Sequence, residues 1–316
     1  MRRGGMPPPP HPQDRCEPLP GHQPKPVEDD PSARAALERI LASESYREAD
    51  QDVQFLHADA ARGVRLQLDY LKAQVVLEQH GIAHTIVVFG STRIAEPQAA
   101  AREVERCAQE ATAQADDGAR QRRLAIARRI QEKSRYYEMA RAFGRIVGDE
   151  GGNACGGRLV VMTGGGPGIM EAANRGAHDA GAPTIGLNIT LPKEQFPNPY
   201  VTPELCFRFH YFAMRKLHFV SRARALVAFP GGYGTLDEVF DVLALAQTRK
   251  IKPVPVILVG EAYWRQVFNP DFLVDEGVIA PEDRDLFWFA ETATDIWRDI
   301  VHWHEAMGEP LFRATS

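Results

Sequence analysis

A strand-like run over residues 225–229 (ALVAF) breaks into Pro230-Gly231-Gly232-Tyr233-Gly234-Thr235 and resumes as Leu236-Asp237-Glu238 with helical character. Glycines there let the backbone approach a ligand closely, and a helix N-terminus offers unpaired N–H groups and the positive end of a dipole. The turn therefore suits an anion such as phosphate. The pattern places the helix start near Leu236, with Thr235 at the N-cap or in the first turn. Glu238 follows within a turn, near the same mouth, where a carboxylate can act as a general base or steady a developing cation. The T-x-x-E spacing fits a capping box equally well, in which Glu238 merely reaches back to the helix start. Both readings stay open on these residues alone.

A second glycine-rich turn, Thr163-Gly164-Gly165-Gly166-Pro167-Gly168-Ile169-Met170, follows the β-like run RLVVM and leads into a helix. It is neither a strict GxGxxG nor a Walker loop, since no GK[ST] follows, so it is open to an anion-holding or a purely structural role. Arg215 and Lys216, after Met214 in HYFAMRKL, supply positive charge on a helix between two strands. A guanidinium can fork onto phosphate or carboxylate; an exposed position fits Arg215 equally well and is the plainer reading of Lys216.

These groups need a scaffold, and the hydrophobic pattern describes one. Residues 84–89 (HTIVVF) form a first buried strand ending at Gly90-Ser91. Strands follow at 158–162, 184–189, 225–229 and 255–259, with helices at 136–147, 168–179, 211–222 and 236–248 between them. Such alternation implies an α/β fold: a Rossmann-like, doubly wound parallel sheet with helices on both faces. The stretch to about residue 307 is expected to be helical and to cover an edge.

Residues 1–33 are proline-rich and poor in large apolar groups, which reads as a flexible tail. A helical extension is expected over 34–80, packed on a catalytic domain over 81–316. Within that domain, the Ala-, Arg- and Glu-rich residues 98–133 read as a helical insertion with a break at Asp116-Asp117-Gly118.

Composition narrows the partners. A net charge of -5 gives no global attraction to nucleic acid or anionic membrane, and no apolar run approaches the ~20 residues of a spanning helix. Without the apolar stretch of a signal peptide near Arg2 and Arg3, a cytoplasmic protein is expected. Four scattered cysteines make no CxxC pair, and His302 and His304 alternate on a helix without a third ligand, so no metal site is indicated.

Taken together, GGGPGIMEAANRGA (164–177), the Met214-Arg215-Lys216 segment and PGGYGTLDE (230–238) resemble the LOG family, also labelled lysine decarboxylase-like, in order and spacing over about residues 84–264. That family contains cytokinin riboside 5′-monophosphate phosphoribohydrolases and bacterial AMP nucleosidases; the longer N-terminal part here looks like the long bacterial type. The resemblance implies hydrolysis of the N-glycosidic bond of a nucleoside 5′-monophosphate, without metal or organic cofactor. It implies catalytic roles for Glu238 and Arg215 and a phosphate-binding turn at Gly231, Gly232, Tyr233, Gly234 and Thr235. Substrate contacts are implied for Met214, Lys216, Glu194 in LPKEQ, Gly90, Ser91, Gly164, Gly165 and Gly166. Asp237 is expected to face solvent. A homodimer or higher homo-oligomer is also implied.

After PGGYGTLDE, short plant-type members tend to carry Thr-Trp before Ala-Gln, where this chain has Ala244-Leu245-Ala246-Gln247. The altered pocket wall makes AMP the leading substrate and N6-prenyl-AMP the second. The competing class is a nucleotide sensor without chemistry, since a phosphate turn alone does not establish catalysis. A pyridoxal-phosphate decarboxylase lacks support, because Lys216 has no recognisable cofactor setting.

Overall fold

The computed structural model describes residues 18–113, 117–191 and 196–312. Residues 1–17, half of the expected proline-rich tail, lie outside these. The chain divides into two compact units, Met1–Arg65 and Leu66–Ser316. In the first, α1 (Ala33–Leu41) and α2 (Val53–His57) are short. The Asp52 carboxylate caps α2 by accepting from the Phe55 amide at 3.0 Å. Arg65 donates to the carbonyls of Leu56 and Ala58, both at 2.6 Å. Among its described residues only Ala61 is fully buried, so this unit has almost no apolar core of its own.

The second unit takes in most of α3 (Arg62–Gln79) and everything beyond it. Its strands are β1 (Ile82–Phe89), β2 (Arg158–Thr163), β3 (Thr184–Ile189), β4 (Cys206–Phe209), β5 (Ala223–Ala228), β6 (Val256–Val259) and β7 (Trp288–Ala290). The sheet order is β4-β3-β2-β1-β5-β6-β7, and every pairing is parallel. The helices are α4 (Pro97–Ala113), α5 (Gly118–Gly151), α6 (Ile169–Asp179), α7 (Phe212–Ser221), α8 (Tyr233–Gln247), α9 (Glu261–Val267), α10 (Pro270–Asp275) and α11 (Ala293–Ala306).

Side chains alternate across a strand, and the core divides accordingly. Ile86, Val88, Val161, Val227 and Val259 point to one face, under Phe143 of α5, Ala173 of α6 and Ile296 of α11. Val87, Phe89, Met162, Leu226 and Leu258 point to the other, under Leu77 of α3, Phe219 of α7, Val239 of α8 and Trp264 of α9. The doubly wound parallel sheet is thus the fold that the strand–helix alternation required. No helix among the described residues is long and apolar enough to cross a membrane.

Three local expectations are corrected. The segment beyond residue 260 is not helical throughout, because Trp288–Ala290 adds a seventh strand beside β6. Residues 206–209 likewise form an edge strand beside β3. Finally, the helix expected at 136–147 is the C-terminal half of one 34-residue helix that begins at Gly118, capped by Asp117, and runs past the expected end through Gly148 to Gly151. Glycines of α5 and α6 permit close packing of the two helices. A Cβ at Gly144 would stand 2.1 Å from the carbonyl oxygen of Ala173 in α6, and one at Gly176 of α6 would stand 1.9 Å from that of Arg141.

Candidate active site

The sheet order reverses between β1 and β5, and in open α/β sheets ligands gather where the strand carboxyl ends diverge in this way. Gly90 follows β1 there, and Pro230 follows β5 by one residue. The two turns are joined directly, the Ser91 amide donating to the Pro230 carbonyl at 3.0 Å. Between them opens a cleft of about 540 Å³.

The turn after β5 enters its helix earlier than the sequence suggests. α8 begins at Tyr233, and its N-cap is Gly232, which has no side chain to cap with. Thr235 is already the third helical residue, so the T-x-x-E capping box does not form and Glu238 is released from that role. The Thr235 hydroxyl lies over Gly231 so closely that a Cβ there would come within 2.1 Å of it. Tyr263 of α9 fixes the same turn by donating its hydroxyl proton to the Gly231 carbonyl. The first-turn amides of Tyr233 and Gly234 have no intrahelical acceptor and remain donors for an anion.

The turn after β2 is built differently. The Thr163 hydroxyl donates to Asn174 Oδ1 at 2.7 Å and accepts from the Gly165 amide at 2.9 Å. Asn198 donates to Asn174 Oδ1 at 2.9 Å and to the Gly166 carbonyl at 3.0 Å. All of these side chains are buried. Gly168 has φ +75°, and a Cβ would strike the Ser91 carbonyl oxygen at 2.4 Å. That same carbonyl accepts from the Ile169 amide at 3.2 Å and so covers the start of α6 with protein. Of the two turns, only the one after β5 leaves its helix start open, while Gly164 and Gly166 serve as wall.

Glu238 faces this cleft with a residue exposure of 4 %. Burial pushes its carboxyl up to about 7, against the pull of Lys216 and Arg215. Arg215 Nη2 stands 3.7 Å from Glu238 Oε1, a charge contact too long for a hydrogen bond. Burial holds the guanidinium below its usual value, with Glu238 and Asp237 opposing, so the pair only partly offsets the cost of its own desolvation. The guanidinium lies over the rings of Phe212 and Phe219, 4.9 and 5.5 Å from their centroids, and its buried Nε has no hydrogen-bond partner among the described residues.

α7, which carries Arg215, is held along its length by α3. The Asp69 carboxylate accepts from the amides of His210, at 3.0 and 3.2 Å, and Tyr211, at 2.9 Å, at the start of α7, where Tyr211 provides no side-chain cap. His218 Nε2 donates to the Tyr70 carbonyl at 3.0 Å while its ring stacks on Tyr70. Arg222 then meets Gln74 at 2.9 Å. Asp69→Ala leaves helix-terminal amides without their acceptor. It is expected to cost about 1–2 kcal/mol, read as a lowered urea midpoint with unchanged slope; an unmoved midpoint would show that α7 is not held this way.

The structure brings Gly90, Ser91, Gly164, Gly166 and Arg215 together with Gly232, Gly234, Thr235 and Glu238 around one cleft. Gly165, Met214, Gly231 and Tyr233 do not line it; Met214 packs against the core and Tyr233 is exposed. Lys216 turns away to Asp237 at 2.9 Å and Asp241 at 3.7 Å; Asp237 faces solvent as expected and is an ion-pair partner as well. Burial alone would lower the Lys216 ammonium, but Asp237, Glu238 and Asp241 together raise it. Glu194 lies outside the described residues. Asp69, Asn174, Asn198 and Tyr263 were missed by sequence reasoning, because no local pattern joins a residue to a turn tens of residues away. Arg93 could have been found as the first cation after the β1 turn. His304 is buried and bonds the Arg224 carbonyl, while His302 is exposed.

The chain is similar to known proteins. The family described as "Possible lysine decarboxylase" matches residues 170–300, which include α7, α8 and the turn between β5 and α8. The chain is similar to cytokinin riboside 5′-monophosphate phosphoribohydrolase LOG3 of Arabidopsis thaliana, at 31% identity over 48% of this chain and 72% of that protein. It is similar to LOG7 of the same plant, at 30% identity over 48% and 69%. For a protein of Oryza sativa subsp. japonica named as the probable enzyme LOGL5, the identity is 32% over 43% of this chain and 56% of that one.

Proposed function

The chain belongs to the LOG family, and from that premise we propose that it hydrolyses the N-glycosidic bond of a nucleoside 5′-monophosphate, releasing free base and ribose 5-phosphate. The observation that carries this reading is the buried Glu238 carboxyl, 3.7 Å from Arg215, in the cleft that the open N-terminus of α8 adjoins. Naming of the relatives as phosphoribohydrolases supports the same bond cleavage.

In this reading the α8 turn holds the 5′-phosphate and so fixes the ribose against Glu238. As the C1′–N bond lengthens, its electron pair goes to the base and positive charge develops on the sugar. A carboxylate in a water-poor site stabilises that charge more strongly than one in bulk solvent. Glu238 also takes the proton of the attacking water, whose oxygen bonds to C1′, and the departing base takes up a proton. Arg215 keeps part of the Glu238 population ionised and can donate to a ribose oxygen. With its two hydrophobic neighbours it forms one wall of the cleft.

AMP is the leading substrate and N6-prenyl-AMP the second, with Ala244-Leu245 standing where short plant-type members tend to carry Thr-Trp. Incubation with AMP, CMP, GMP and N6-prenyl-AMP, followed by chromatography, is expected to release adenine from AMP fastest. Absence of free base from every monophosphate would overturn hydrolysis and leave a nucleotide sensor. Activity in a homodimer or larger homo-oligomer belongs to the same proposal, and a light-scattering mass of one chain would refute it.

A further inference from the structure

The charges around the cleft do not balance its proposed ligand. Among the described residues that line it, the ionisable side chains are Arg93, Arg215 and Glu238. Arg215 is matched to Glu238 and lies on two aromatic rings. Lys216 is committed to Asp237 and Asp241, outside the lining. A phosphate monoester brings about 1.5 to 2 negative charges at neutral pH. The start of α8 answers with the equivalent of about half a positive charge. One cation is still needed.

We propose that Arg93 is that cation, a specificity-determining residue that clamps the 5′-phosphate against the α8 turn and makes the site select monophosphates over nucleosides. This rests on the reading of the cleft as a nucleotide site. Arg93 lies in the loop after β1 that is bonded to the β5 turn through Ser91 and Pro230. Its own amide donates to Ser91 Oγ at 3.1 Å, and the next residue, Ile94, is completely buried in the core. The backbone is thus fixed on both sides while the side chain is exposed at the cleft. The guanidinium makes no hydrogen bond or ion pair among the described residues. A planar fork of this kind matches two phosphate oxygens.

A similar-sized cleft at the opposite strand ends shows what committed cations look like. There Arg222 pairs with Glu78 at 3.8 Å, while Arg224 and Lys252 share Glu309 at 3.3 and 3.1 Å. Arg93 has no such acid.

The test uses full-length protein carrying Glu238→Gln, so that turnover is slow during the titration, with and without Arg93→Ala, titrated calorimetrically with AMP and with adenosine. Removal of Arg93 is expected to weaken AMP about ten- to hundred-fold and leave adenosine unchanged, with Arg93→Lys recovering part of the loss. Equal AMP affinity in both proteins would overturn the proposal, as would parallel losses for AMP and adenosine, which would make Arg93 a shaping residue. AMP that binds neither protein, while both still unfold cooperatively, would instead overturn the nucleotide-site reading beneath it.

Discussion

Glutamine in place of Glu238 is expected to lower kcat by about 10²- to 10⁴-fold, the usual loss when a positioned acid–base group is removed. Glutamine keeps the volume and a hydrogen-bonding head but can neither carry negative charge opposite the sugar nor accept the proton of water. The pH profile adds an independent signature. Because burial raises the carboxyl to about 7, kcat/KM should fall roughly tenfold per unit below about pH 7 rather than below the ordinary glutamate range. A profile flat down to pH 5, or a variant at the wild-type rate, would remove Glu238 from the chemistry.

The same carboxyl makes a prediction about stability. Its folded value lies above the ordinary glutamate value of 4.5, so between about 4.5 and 7 the folded chain holds a proton that the unfolded chain has lost. The favourable contribution is complete below about 4.5 and is lost as pH rises to about 7. Glutamine has no such loss. Relative to wild type, Glu238→Gln should therefore gain up to about 3 kcal/mol between pH 4.5 and pH 8, read from urea unfolding at both values. An inactive variant that is the sturdier protein at high pH is the expected pairing of a strained catalytic group with its site.

Arg215→Ala is expected to cost about 10²- to 10³-fold in kcat, the range for losing one preorganised electrostatic contact to the reacting groups. It also withdraws one of the two cations that restrain Glu238, the other being Lys216. The acidic limb of the profile should consequently move to higher pH, which a general loss of packing would not produce. Arg215→Lys is a poor substitute. An ammonium keeps the charge but forfeits the guanidinium's contact with the rings of Phe212 and Phe219, and it carries a tighter hydration shell into a buried position. A loss under twofold in Arg215→Ala would end its catalytic assignment.

The central strands were legible because burial on both faces demands unbroken β-branched runs such as residues 84–89 and 158–162. The two strands that escaped, Cys206–Phe209 and Trp288–Ala290, are the sheet edges. Four and three residues are too few to display a period, and their identity comes from the neighbour they pair with. Gly148 and Gly151 misled in the opposite sense, since glycine in sequence reads as interruption while here it lets α5 approach its neighbours. At the site, the anion turn, Arg215 and Glu238 could be placed from their order along the chain. The unformed capping box could not, because Thr235-x-x-Glu238 satisfies the local rule and only the actual start of the helix at Tyr233 decides against it.

The grip of α3 on α7 redraws where the catalytic body begins. A truncation at the first strand, Ile82, would look innocuous on a diagram of the sheet, yet it would strip the carboxylate of Asp69, the Tyr70 carbonyl and Gln74 from the helix that bears Arg215. Nor does the boundary between compact units fall at that strand; it falls inside α3, between Arg65 and Leu66. The smallest piece of this chain that keeps its arginine in place therefore starts some sixteen residues upstream of the sheet, and the segment before the first strand is part of the enzyme's working frame.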